Sequence, residues 1–162
     1  MADFLELLKI NAAETRRIQK LIHETSAAAL QEKSPENLAA WRDAAREFHA
    51  TWDQLAFPGG IGREFELLQQ GNLDAAERAL LYLENPPYSF RSQYIAEKLR
   101  RRLNNMESQM PENLQARFDA YKRRVKSKKL ERRKMLGKLD VSEQLDVYSG
   151  RRKLSDFKSR LG

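Results

Sequence analysis

The densest chemistry in this sequence is cationic. Nine of the residues from Lys122 to Lys134 are lysine or arginine, and Arg100-Arg101-Arg102 forms a second cluster upstream. Guanidinium and ammonium groups at this density neutralise phosphates and release their condensed counterions, the main source of sequence-independent nucleic-acid affinity. The candidate phosphate-binding set is Arg100, Arg101, Lys122, Arg123, Lys126, Lys128, Lys129, Arg132, Arg133 and Lys134. Tyr121 and Tyr148 flank the run, but two rings do not make a base-reading platform. RNA or DNA is therefore expected to be held by its backbone. An acidic protein is the competing partner, and a solvated lysine-rich face is the plain alternative. Attraction to a membrane surface is disfavoured, because Val125, Leu130 and Met135 do not join into one apolar face.

The charge is unevenly spread. The net +7 resolves into 9 Lys+Arg against 14 Asp+Glu in residues 1–87, and 21 against 9 in residues 88–162. Such asymmetry points to an anionic partner, or to a homo-oligomer in which the acidic half of one copy meets the basic half of another.

Three other groupings bear on chemistry. Pro58-Gly59-Gly60-Ile61-Gly62-Arg63 precedes a helix, where backbone amides can cradle a phosphate. A P-loop needs a preceding strand and a closing Gly-Lys-Ser/Thr, and both are missing, so a turn joining helices is expected. The two histidines, His23 and His49, lack the Glu three residues earlier that a di-iron bundle requires, since positions 20 and 46 are Lys and Arg. Arg42, Asp43 and His49 form a spacing that resembles the Arg-x(4–6)-His signature of HEPN-type helical ribonucleases. That resemblance implies metal-independent RNA cleavage with His49 as base and Arg42 steadying the phosphate. It covers eight residues, and Arg17 with His23 shows the same loose spacing, so surface residues of a bundle helix are the favoured reading. A polar-aromatic corner, Arg91, Ser92 and Tyr94 after Pro86-Pro87-Tyr88, is expected to be a hinge with a buried tyrosine.

The absence of cysteine removes disulfides, zinc-thiolate sites and cysteine nucleophiles together. No catalytic set, metal site or cofactor is assigned. The first ten residues carry Asp3 and Glu6 before any cation, unlike a secretory signal. No apolar run approaches the roughly 18 residues of a membrane span. A cytoplasmic, soluble chain without membrane contact is expected.

The elements that must position these groups are helices. Phe4, Leu7, Leu8, Ile18, Leu21, Ile22 and Ala29 recur at helical spacing and predict one long helix over 3–31. Ser34-Pro35 supplies an N-cap and a first-turn proline for a second helix over 35–56. Its seam of Leu38, Trp41, Ala45, Phe48, Trp52 and Leu55 predicts a thick bundle core and an antiparallel hairpin with the first helix. A short helix from about 63 to 70, a Gly71-Asn72 restart and a helix over 73–84 follow. This second hairpin resembles one helix pair of a tetratricopeptide-like solenoid, without a second copy. Pro86-Pro87 ends it. Tyr94, Ile95, Leu99 and Leu103 predict the apolar face of the next helix, to about Met106. Leu114, Phe118, Tyr121 and Val125 stripe the one after. The stripe fails beyond Val125, and a helix polar on every side projects into solvent or binds something. Gly137 marks a hinge. Asp140 and Glu143 predict a capping box for a short helix bearing Val141, Leu145 and Tyr148. Leu154, Phe157 and Leu161 close the chain.

The fold class is all-α: an irregular helical bundle built from helix hairpins over residues 1–125, with a basic, partly mobile helical C-terminal extension over 126–162. The function expected from this pattern is a non-enzymatic binding or adaptor protein, associated with nucleic acid through its basic C-terminal helix.

Overall fold

The computed structural model describes residues 2–157, and Leu161 lies outside them. Among the described residues all regular structure is helical: α1 (Ala2–Gln31), α2 (Pro35–Ala56), α3 (Ile61–Gln69), α4 (Leu73–Glu84), α5 (Ser92–Met106), a 3-10 turn at Glu107–Gln109, α6 (Glu112–Leu136), α7 (Val141–Tyr148) and a 3-10 turn at Leu154–Phe157. The chain divides into two compact units, Met1–Gln115 and Ala116–Gly162.

Local chemistry sets the helix ends. Ser34 Oγ accepts from the Asn37 N–H at 3.2 Å, with Pro35 in the first turn, and this opens α2. Asn37 stands at the capping-box position but turns back, donating to the Glu32 carbonyl at 3.0 Å. Gly71, at φ +76, closes α3: its own N–H reaches Leu68 O and the Asn72 N–H reaches Leu67 O, the paired bonds of a Schellman end. Asn72 then caps α4 through the Ala75 N–H at 2.8 Å.

In the first unit, α1 and α2 form the most extensive helix pair, and α3, α4 and α5 pack mutually. Asn11 donates to the Gln54 carbonyl at 2.7 Å, and Arg17 bridges Glu14 at 2.8 Å and Glu47 at 2.7 Å, fixing the antiparallel register. The tightest core lies in α4 and α5. Ala75, Ala76, Ala79, Leu80, Tyr82 and Leu83 are buried on α4, and Ile95, Leu99, Leu103 and Met106 on α5. The alanines let the helices approach closely, and the leucines fill what remains. Phe57, fully buried, bridges Phe4 and Tyr82 at ring separations of 5.2 and 5.6 Å.

The seam of α2 lies less deep than expected, and the two buried residues of the helix, Ala44 and Ala56, stand beside it rather than in it. Trp41 is 41% exposed, and Phe48 and Trp52 are half-buried. Packing against α1 alone covers one side of a large ring and leaves its outer edge open. Phe90 partly closes that side, standing 5.4 Å from Phe48 and 5.6 Å from Trp52. The corner before α5 also differs from expectation. Tyr94 is exposed beneath the Lys98 ammonium, and Tyr88 is exposed in the left-handed region at φ 47. The buried member of that corner is Ser92.

The second unit has its own small core of Leu136, Leu139, Val147 and Phe157, with Leu154 packed against it. Asp140 and Glu143 form the expected reciprocal capping box at 2.9 and 3.1 Å. The face of α7 that packs is not the expected one. Val147 turns inward, while Val141, Leu145 and Tyr148 remain exposed. The short helix docks through the residue that meets Leu136 and Leu139 rather than through its longest apolar row.

Candidate nucleic-acid interface

The candidate cations occupy two helices. Arg100 is half-buried on α5, and Arg101 is exposed with Glu97 at 3.7 Å. Their neighbour Arg102 serves the core: its guanidinium lies 4.2 Å from the Phe65 ring centroid and donates to the Phe65 carbonyl at 3.4 Å. The remaining candidates lie on α6. Lys122 is partly buried over the Phe118 ring and pairs with Asp119 at 2.8 Å. That hydrogen bond, with the charges of Lys122 and Arg123, holds the Asp119 carboxyl below its usual range. Arg124 covers the Tyr121 ring at 5.8 Å.

Beyond Val125 the surroundings change. Every residue from Lys126 to Lys134 is exposed. Lys126, Lys128, Lys129, Arg132, Arg133 and Lys134 have no carboxylate partner among the described residues. Glu131 is the single acid in that stretch. The run is nonetheless an uninterrupted part of α6. Arg133 and Lys134 in the last turn favour the negative end of the helix dipole. The Leu136 cluster anchors the helix end just beyond.

The run keeps the register of the apolar stripe that precedes it. The spacing Leu114, Phe118, Tyr121, Val125 continues through Lys128 and Arg132 before apolar residues return at Met135 and Leu136. The seam positions are themselves basic for two turns. The signal was present as an unbroken heptad register beneath the charge.

Of the other candidate groupings, the glycine turn resolves as structure. Asp53 Oδ1 accepts from the Gly62 N–H at 2.9 Å, so a carboxylate of α2 already sits at the N-terminus of α3. Gly60, at φ +92, must lack a side chain there, because a Cβ would stand 2.6 Å from Asp53 Oδ2. This carboxylate occupies the place a bound phosphate would take. Arg42, Asp43 and His49 are exposed on α2. Asp43 is engaged by Arg46 at 2.8 Å, and seven helical residues set Arg42 and His49 about 10 Å apart along the axis. Among the described residues no group of three His, Asp or Glu side chains converges as a metal site. No helix among them is long and apolar enough to cross a membrane.

Two buried polar groups were invisible in the sequence. Glu64 on α3 is 3% exposed and accepts two hydrogen bonds from Arg78 on α4, at 3.2 and 2.9 Å. Burial raises its carboxyl above the ordinary value, outweighing the pull of Arg78. Tyr82 Oη, on α4, has no hydrogen-bond partner among the described residues, and burial pushes the phenol up. Neither carries a local motif. The Glu64–Arg78 pair joins residues 14 apart on two helices, and only the packing of α3 against α4 unites them.

The fold and the exposed basic run define an all-α helical-bundle protein bearing a solvent-facing cationic helix. Comparison with known proteins finds no matching family model, no matching curated sequence and no matching solved structure.

Proposed function

We propose that this chain is a non-enzymatic nucleic-acid-binding or adaptor protein that holds phosphate backbones through α6. The observation that carries the reading is the stretch from Lys126 to Lys134: six exposed cations without a carboxylate partner among the described residues. Other basic groups of the chain are paired with carboxylates, as at Arg17, Arg46, Arg78 and Lys122. Leaving six unpaired on successive turns raises self-repulsion within one helix, which a bound polyanion relieves. Arg123 and Arg124 extend the same surface toward the N-terminus of α6.

Phosphate contacts position a ligand without reading its bases, so binding should be nearly independent of sequence. Titration of the full chain into labelled DNA and RNA of unrelated sequences at low salt tests the reading. Comparable binding across base sequences is expected. If neither DNA nor RNA binds at low salt, the reading fails, and an acidic protein becomes the partner to seek.

A further inference from the structure

The placement of the cations around α6 says what form of nucleic acid they suit. At 100° per residue, Lys126, Lys129 and Arg133 fall on one flank of the helix. Arg124, Lys128 and Arg132 fall on another, about 130° away, and Arg123 with Lys134 stand on a third side. The exposure of 126–134 is equally all-round, including the seam positions Lys128 and Arg132. A protein surface laid against a helix covers one face and would leave the opposite flank unanswered. A groove with a phosphate wall on each side answers both flanks at once.

From this geometry we infer that residues 123–134 of α6 enter the major groove of duplex DNA, an inference that rests on the phosphate-binding reading above. The dimensions agree. A helix with its side chains is about 10–12 Å across, and the major groove of B-DNA is about 12 Å wide. The nine exposed residues from Lys126 to Lys134 rise about 14 Å, enough to lie along the groove between its walls. Duplex RNA does not offer this fit, because its A-form major groove is deep and narrow. Single strands are held largely by stacking on aromatic rings, and residues 122–134 contain none. Ser127 and Leu130 fall on the same third side as Arg123 and Lys134, so the two flanks, rather than a base-reading face, are what a groove would grip. The occupant is therefore duplex DNA, gripped by its two backbones.

The test compares the full chain on four probes of one sequence: duplex DNA, duplex RNA, single-stranded DNA, and duplex DNA whose major groove is filled by bulky C5-substituted pyrimidines. Plain duplex DNA should bind at least about tenfold tighter than each of the other three. A minor-groove-binding dye, saturating the duplex, should leave binding unchanged. Equal affinity for duplex DNA and duplex RNA, equal affinity for single strands, indifference to the C5 groups, or displacement by the dye overturns groove entry. Each of those results still shows nucleic-acid binding, so the broader reading survives them. Failure of every probe to bind overturns both.

Discussion

Glu64 and Lys128 each carry one charge on a helix, and the fold treats them in opposite ways. Glu64 is almost wholly withdrawn from water and held by two hydrogen bonds from Arg78. Lys128 stands in solvent at a seam position with no carboxylate partner among the described residues. Burying an unanswered charge costs several kcal/mol, whereas exposing one costs little in stability. The difference separates two uses of charge in one chain. Around α3–α5 a charged pair is absorbed into packing. Along residues 126–134 of α6, charge replaces the packing residues themselves.

That contrast makes mutations in the two regions diverge. Leu99→Ala, in the fully buried face of α5, should cost about 2–5 kcal/mol in chemical unfolding, because the cavity left on α4 cannot collapse fully. Trp41→Ala should cost much less despite the larger side chain, about 1 kcal/mol, since its ring is partly exposed. Equal losses would place Trp41 in a core that the α1–α2 pair does not show.

Arg78→Ala should cost about 2–3 kcal/mol by leaving the Glu64 carboxylate buried and unpaired; Arg78 is itself partly exposed, which moderates the loss. The pH dependence sharpens the point. Burial raises Glu64 above 4.5, so the folded chain holds this proton more tightly than the unfolded chain does. The stability it contributes is full below the unfolded value and is lost as pH rises through the raised one. Wild-type stability measured relative to Glu64→Gln should therefore fall as pH climbs from about 4. A difference that rises with pH would mean Arg78 outweighs burial.

Tyr82→Phe should have the smallest effect, between no change and a gain of about 1 kcal/mol, because the lost hydroxyl has no partner among the described residues. A clear loss on thermal or chemical unfolding would reveal a hydrogen bond at Oη.

The sequence made the helices legible because their punctuation is local. Ser34-Pro35, Gly71-Asn72 and Asp140 with Glu143 act within one turn, and the structure uses each at the expected place. Depth was less legible, because it depends on what covers a face. The α2 seam has the right period, yet Trp41 remains partly exposed since α1 is its main partner. On α7 the longer apolar row of Val141, Leu145 and Tyr148 lost to Val147, which faces the Leu136 cluster. Contacts between distant residues were not legible at all: nothing near Gly60 announces that Asp53 fills the space above it. For the candidate interface, the cations could be read from the sequence, and their lack of carboxylate partners only from the structure.

The most direct measurement is the salt dependence of duplex-DNA binding by wild type and by a variant carrying Lys128→Gln, Lys129→Gln, Arg132→Gln and Arg133→Gln. All four residues are exposed, so the variant should unfold within about 1 kcal/mol of wild type. If the six unpaired cations meet phosphates, the log-log slope should be about −5 for wild type and about −2 for the variant, with much weaker binding by the variant at low salt. Parallel slopes and equal affinities in a folded variant would contradict the account, because the exposed run of α6 would then not be where the phosphates bind.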